Sequence, residues 1–428
     1  MRFRLFARFF VGSARVVTRG NALYWGWLAF LLLLVASGVL AYADQLDAGL
    51  SVTAMRDPVS WGFYIGNFTF LVGVAAAAVV LVIPAYIYKW GPIREIAIFG
   101  ELLAVSAIVM CLLFVFVDIG RPDRFWHLLP PFGILNFPSS LLAWDVLVLN
   151  LYFVVNFIVV THLVYCGFAR RDYNHRLVWT LVLLSIPMAV SIHTVTAFLY
   201  NGLAARPYWN ASILAPQFLA SAFCSGPAIL LFVLQLLRRF TSFRIRDEAI
   251  WKIAELMAYA MFLNLFLHGA EIFKEYYSDT HHLLHTRYLY EGVGGHHALQ
   301  PYAWAAVVLN VAAFVLFIIP RTRRNFVTLN LGAAATYLGV YIEKGMGLIL
   351  PGLTPDTLGE IYSYSPTWTE IRVAAGIFAI GFLVFTLMLK VAVPIALGRF
   401  HVDADPAPEP RAGGSEAEAV PPVTAAGT

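Results

Sequence analysis

The residues with chemical potential in this sequence are a few ionisable and amide side chains set into long apolar runs: Asn67, Asp118, Arg121, His193, His268 and Glu271, with Tyr200 and Glu343 beside them. Imidazoles and carboxylates in such a setting are suited to giving and taking protons. An imidazole has a reference pKa of about 6.5, and a carboxylate can relay a proton to water. An amide or guanidinium can donate hydrogen bonds to a ligand oxygen. Asn264, His268 and Glu271 follow an i, i+4, i+7 spacing, and Ser185, Ala189, His193, Thr196 and Tyr200 trace one stripe, so each set shares a helix face. A thinner pair, Glu101 and His162, is a candidate for a proton route from the other side of the protein. The simpler reading places both at an interface with access to water.

The elements that must hold these residues are membrane helices. Of the 428 residues, 60% are hydrophobic and 13% charged, with a mean hydropathy of +0.74, which excludes an ordinary soluble domain. A span needs about 20 mostly apolar residues. Ten stretches qualify, near 22 to 43, 58 to 88, 95 to 117, 141 to 164, 177 to 200, 212 to 237, 250 to 273, 300 to 319, 326 to 350 and 370 to 398. The fold class read from them is an all-α polytopic membrane protein of about ten transmembrane helices, with two parallel four-helix bundles plus flanking helices. The chain divides into a basic N-terminus (1–21), a first helix and outer loop (22–57), a first bundle (58–200), a second bundle (201–350), an outer loop with the last helix (351–400) and a tail (401–428).

Alternate loops, counted with the N-terminus, carry 17 Lys and Arg residues against 6 in the others. Cytoplasmic loops carry the excess, so both termini are expected in the cytoplasm of a bacterium, with the chain in its inner membrane. The formal charge of +4 is then a topology signal, and nothing points to nucleic acid. A basic start, an apolar run and Ala-Tyr-Ala at 41 to 43 imitate a signal peptide, but the run from Tyr24 to Ala41 is long for that role and reads as a retained helix. The tail after His401, rich in Pro, Ala, Gly and acids, is expected to be disordered.

Chain direction and position along each span set depth, at about 1.5 Å per residue. Asn67 comes early in the inward-running second span, Asp118 ends the third and Asp145 opens the fourth, while His193, His268, Glu271, Glu343 and Lys344 come late in outward-running spans. All lie in the outer third of the membrane. One polar cavity between the helices would collect them, with Arg121 pairing to Asp118. The plainer reading of each residue is a hydrogen bond that fixes helix register. Gly62, Gly66, Thr69 and Gly73, and Gly332, Thr336, Gly339 and Gly347, form lines of small residues that permit close helix contact.

Cys111, Cys166 and Cys224, without CxxC or CxxCH spacing, cannot ligate an iron–sulfur cluster or attach a c-type haem. No metal site is predicted; His281, His282, His285, His296 and His297 read as part of a solvated docking loop. Two other classes fit parts of the pattern. A secondary transporter shares the repeats and the spans, but here the polar residues lie off the midplane and no Gly/Pro-broken helix pair occupies matching positions. A haem b cytochrome would use His193 and His268 as axial ligands, although stacked bis-His haems need four histidines at two depths.

Four segments carry a resemblance: "DPVSWGFYIGNFTFLVG", "DIGRPDRFWHLLPPFGILNFPSSLLAWD", "HGAEIFKEYYSD" and "YIEKGMGLILPGLTPDTLGEIYSYSPTWTEIRVAAGIF". With WG-x-x-I-x-N and the GRP loop, residues 20 to 400 resemble the NrfD/PsrC family of membrane subunits, and the EKG, LPG, TPDTLGE and SPTW run is similar to its DsrP branch, with relatives HmeB and HmcC. The resemblance implies a subunit without haem or iron–sulfur cluster of its own that exchanges electrons and protons with a quinone, menaquinone or ubiquinone. It implies a quinone pocket near the periplasmic face, which is where the depth count places the polar residues. The implied partners are a periplasmic ferredoxin-like iron–sulfur subunit (DsrO-like), a multihaem cytochrome c (DsrJ-like), a membrane haem b subunit (DsrM-like) and a cytoplasmic iron–sulfur subunit (DsrK-like).

Overall fold

The computed structural model describes residues 2–129, 131–280 and 282–402; the expected disorder of the tail beyond them, and His281, lie outside the described residues. Helices follow the apolar runs and start where a side chain can cap them. α1 (Arg2–Val17) comes first, then α2 (Ala22–Ala48), whose Asn21 cap accepts the Tyr24 N–H. The second apolar stretch is divided into α3 (Phe63–Ala75), α4 (Ala77–Val82) and a π turn over Ile83–Ile87, followed by the short α5 (Gly91–Arg94). After α6 (Ala97–Asp118), α7 (Leu141–Phe168) is capped by Ser140 and α8 (His175–Asn201) by Asn174. α9 (Leu214–Phe240), α10 (Asp247–Ser278), the short α11 (Leu283–Tyr290), α12 (Gln300–Ile318) and α13 (Pro320–Arg323) continue the chain. α14 (Phe326–Lys344), α15 (Met346–Leu353) and α16 (Trp368–Ala396) complete it, with a reciprocal Thr367–Glu370 capping box opening α16.

Nine helical segments among the described residues are long and apolar enough to cross a membrane. The protein is an all-α, multi-pass membrane protein. The remaining expected span, 326 to 350, is broken: α14 ends at Lys344, and Gly345 takes φ −86°, ψ −115°, outside the helical range, before α15 begins. α1 is a helix where the sequence suggests only a basic segment. Phe9 is buried in it, with ring centroids 5.6 Å from Tyr165 and 5.3 Å from Phe168, while Arg4, Arg8 and Arg15 stay exposed.

α3 and α4 close one four-helix ring with α6, α7 and α8, and α9, α10, α12 and α14 close a second. α9 joins them by also packing on α3, α4 and α8. α2 and α16 pair beside the first ring, and glycines permit the approach: a Cβ on Gly38 would stand 2.8 Å from the Gly376 Cα. Lipid supplies no hydrophobic drive between helices, so such close packing carries much of the association. Gly66 turns to α15 and Gly73 to α9, where a Cβ would stand 3.0 Å from Met346 Sδ and 3.1 Å from Ser225 Oγ respectively. The alternating helices define a terminal face, with α1, Arg170 and His401, and a distal face, with α11, α15 and the 3-10 turn over Pro122–Leu128.

Candidate functional site

His193 is fully buried on α8, near the junction of the two rings and toward the distal face. Its Nδ1 lies 2.6 Å from the Ala189 carbonyl, an acceptor, so that nitrogen carries the hydrogen and Nε2 presents a lone pair. Nε2 makes no hydrogen bond of good geometry, although the Val72 carbonyl also stands near the ring. It borders a cavity of about 10 Å3, room for one water, shared with Thr69 of α3, Ser221 and Ser225 of α9 and Lys344 of α14. The Ser225 hydroxyl is likewise buried without a partner. Thr69 Oγ1 and the Tyr200 hydroxyl are 2.5 Å apart, which links the cavity to Tyr200. Above it, Trp61, Tyr200 and Trp209 form an aromatic cap, with centroids 5.2 to 5.5 Å apart, and the Trp209 indole donates to the Leu348 carbonyl.

A second cavity, of about 30 Å3, lies inside the second ring between α10, α12 and α14, with His268, Tyr290, Asn310 and Glu343 on its wall. Glu343 Oε2 accepts from the amides of Asn264 at 3.2 Å and Asn310 at 2.8 Å. The Lys344 ammonium stands 3.1 Å from the other oxygen, Oε1, and both side chains are more than nine-tenths buried. His268 Nε2 meets the Tyr290 hydroxyl at 2.7 Å. His193 and His268 thus border different cavities with the Glu343–Lys344 turn between them, an arrangement unlike a facing axial pair.

The single polar cavity expected from depth is resolved into separate clusters. Asp118 lies at the distal end of α6, with a buried Oδ1 that makes no hydrogen bond. Arg121 does not pair with it; an exposed Arg121 donates to both oxygens of Asp123, at 3.0 and 2.9 Å, because the chain turns at Pro122 and brings those neighbours together in solvent. Asn67 is buried and accepts from the Tyr341 hydroxyl at 2.9 Å, a bond between the two rings. Glu271 accepts from Gln217 Nε2 at 2.7 Å, tying α10 to α9. Glu101 is 2% exposed with Oε2 unpartnered, so it lies inside the protein and not at a watery interface. His162 sits at the terminal rim, where Nε2 accepts the Asn174 N–H. Of the loop histidines, His285 Nδ1 bonds the Pro351 carbonyl, His297 Nδ1 the Glu291 carbonyl, and His296 Nδ1 meets Ser363.

Residues 51–354, which hold both of these cavities, match the family model described as "Polysulphide reductase, NrfD". The chain belongs to the NrfD family. The matched stretch runs from before α3 through α15, so it contains both rings and leaves out α1, α2 and α16. Among curated relatives, this NrfD chain is 29% identical over 401 residues to a putative dimethyl sulfoxide reductase membrane subunit of Halobacterium salinarum, covering 85% of this chain and 90% of that one. It is 23% identical to a selenate reductase subunit of Mesobacillus selenatarsenatis, covering 87% and 94%. It is 22% identical to an Hdr-like menaquinol oxidoreductase integral membrane subunit of Archaeoglobus fulgidus, covering 84% and 92%.

Several polar residues of this NrfD chain are missed as site candidates in sequence. Ser221 and Ser225 read as ordinary small residues of an apolar helix, and Asn310 is one amide in a long apolar run. Tyr290 lies beyond any span. The available signal is register: Asn310 faces Gly339, where a Cβ would come within 2.3 Å of its Oδ1. Asp145, noted only for depth, is buried and accepts from Thr196 at 2.7 Å.

Proposed function

We propose that this protein is the quinone-interacting membrane subunit of an electron-transfer complex, passing electrons between a lipid quinone and an iron–sulfur partner and handling the protons that accompany them. The observation that carries the proposal is the buried His193 imidazole, with Nε2 unpartnered, on the wall of a water-sized cavity among membrane helices. An intramembrane ionisable group is costly and persists where a path or a substrate uses it. Family membership and the relatives named as reductase and menaquinol oxidoreductase membrane subunits support the reading.

A cavity of about 10 Å3 does not admit a quinone ring. The ring is therefore assigned to the distal flank of the first helix ring beside Asp118, where Phe125, Trp126, Phe132 and Phe137 are exposed. Asp118 there holds one ring oxygen. Protons travel from that flank through the Tyr200 hydroxyl and Thr69 Oγ1 to His193 Nε2. A quinol gives up two electrons and two protons on becoming a quinone; the electrons leave to the partner, and this chain's task is to orient the ring and take the protons.

Within the family the EKG, LPG, TPDTLGE and SPTW segments favour the DsrP branch, a link to sulfur metabolism, and partners of the DsrO, DsrJ, DsrM and DsrK kinds. The loop charges favour an inner-membrane protein with both termini cytoplasmic, which makes the distal face periplasmic. Haem and iron–sulfur clusters belong in this reading to the partners. The test is titration of the purified chain with a fluorescent quinol-site inhibitor of the hydroxyquinoline N-oxide class. The expected result is saturable quenching at one inhibitor per chain, with affinity lowered at least about tenfold, roughly 1.4 kcal/mol, by Asp118→Asn. Absence of saturable binding to the native chain contradicts the proposal.

A further inference from the structure

The two cavities meet at a single turn. Glu343 and Lys344 are consecutive at the end of α14, and the helix stops immediately after them at Gly345. Glu343 faces the cavity of His268, while Lys344 faces that of His193. Four buried polar atoms around them make no hydrogen bond: His193 Nε2, Ser225 Oγ, Asn264 Oδ1 and Asn310 Oδ1; Glu343 Oε1 has the Lys344 ammonium as its partner. Unsatisfied buried groups cost about 1–3 kcal/mol each, so three of them on residues that line two spaces large enough for water, His193, Ser225 and Asn310, point to a hydrated path.

We propose that Glu343 and Lys344 form a proton bridge between the cavities, moving protons taken up at His193 to the His268–Tyr290 pair. The inference rests on the quinone reading above and extends it to the second ring. An ion pair shut away from water loses most of its hydration, and the neutral carboxylic acid and amine then lie close to it in free energy. A proton crosses 3.1 Å from Lys344 Nζ to Glu343 Oε1: an N–H bond breaks, an O–H bond forms, and both groups become neutral. The Lys344 amine then takes the proton from protonated His193 Nε2, restoring the ammonium. The Glu343 acid gives its proton to His268, restoring the carboxylate. The net change is one proton moved from His193 to His268, with no electrons involved. The two asparagine amides hold Glu343 Oε2 throughout, which leaves Oε1 free to trade the proton. Tyr290, 2.7 Å from His268, lies on α11 at the distal face and provides the way out.

The titratable groups that surround the bridge are His193 of α8, Cys224 of α9, His268 and Glu271 of α10, Tyr290 of α11 and Tyr208 of the loop before α9. The experiment uses the intact membrane complex, with infrared difference spectra recorded on addition of a short-chain quinol in H2O and in D2O, together with the pH profile of quinol-dependent electron transfer. The expected result in the native protein is a deuterium-sensitive protonated-carboxyl band. Glu343→Gln abolishes it, slows turnover at least about tenfold and alters the pH profile, while inhibitor affinity is unchanged; Glu343→Asp shifts the band and Lys344→Arg keeps a measurable rate. If native protein oxidises quinol without any such band, or if Glu343→Gln matches it in rate, profile and spectrum, the bridge is overturned and the quinone reading stands. If the native complex neither binds the inhibitor nor oxidises quinol, the quinone reading falls and the bridge falls with it.

Discussion

Tyr200 shows what one buried hydroxyl contributes. It is fully buried, packed against Trp61 and Trp209, and lies 2.5 Å from Thr69 Oγ1, so it is both part of the aromatic cap and a polar step between that cap and the His193 cavity. Tyr200→Phe keeps the ring and deletes the step. Quinol-dependent turnover of the assembled complex is expected to fall about tenfold, with a larger solvent deuterium effect than in native protein, while inhibitor affinity holds. An unchanged rate assigns the hydroxyl to packing. The same residue marks the limit of reading chemistry from sequence. Its place on the Ser185 to Tyr200 stripe is legible from helical spacing, but its partner Thr69, 131 residues away, is not. Arg121 illustrates the converse: proximity in sequence suggests Asp118, and a turn at Pro122 delivers Asp123 instead.

Among the elements, α11 is tied to α15 by His285, whose Nδ1 meets the Pro351 carbonyl at 2.7 Å. Burial holds this imidazole below its ordinary 6.5, opposed by the Pro351 bond and Glu275 and reinforced by the nearby His282 and Arg206. The folded state therefore favours the neutral ring. Its contribution is fully present above about 6.5 and is lost as pH falls from there toward the depressed folded value, because the unfolded ring binds its proton first. Amide exchange over 283–290 and 346–353, corrected for intrinsic rates, is expected to quicken between about pH 7 and pH 5, and His285→Asn removes the dependence. Equal protection across that range contradicts it. Depth along a helix is legible because residues rise at a constant step, which is why His193, His268 and Glu343 are expected toward one side. Which helices are neighbours is not legible from hydropathy, so one expected cavity becomes two. The break at Gly345 is hidden for the same reason: a glycine between apolar runs reads as packing until α3 is seen against it, with Gly66 facing Met346.

At the scale of the molecule, two helix rings share α9 and meet at the Glu343–Lys344 turn, so chemistry in the first can be felt in the second without a large motion. The count of apolar stretches is enough to recognise a polytopic all-α protein, and nine of the ten appear as helices fit to cross a membrane among the described residues. α1 escapes that reading because its burial depends on a few positions, Phe9 and Val16, of a segment whose arginines stand out. The sidedness proposed from loop charge has its own check: reporter fusions after Arg170, Arg239 and Arg324 are expected to report cytoplasm, and fusions near Arg206 and His282 periplasm, with the reverse pattern removing the periplasmic assignment of the distal face. His193 is the residue on which the proposed quinone chemistry depends most. The direct measurement is quinol-dependent electron transfer by the intact complex carrying His193→Ala, alongside a check that the subunits remain assembled. The expected result is normal assembly and a rate at least about tenfold lower, equivalent to roughly 1.4 kcal/mol in the barrier. An assembled His193→Ala complex that oxidises quinol at the native rate contradicts the proposed role.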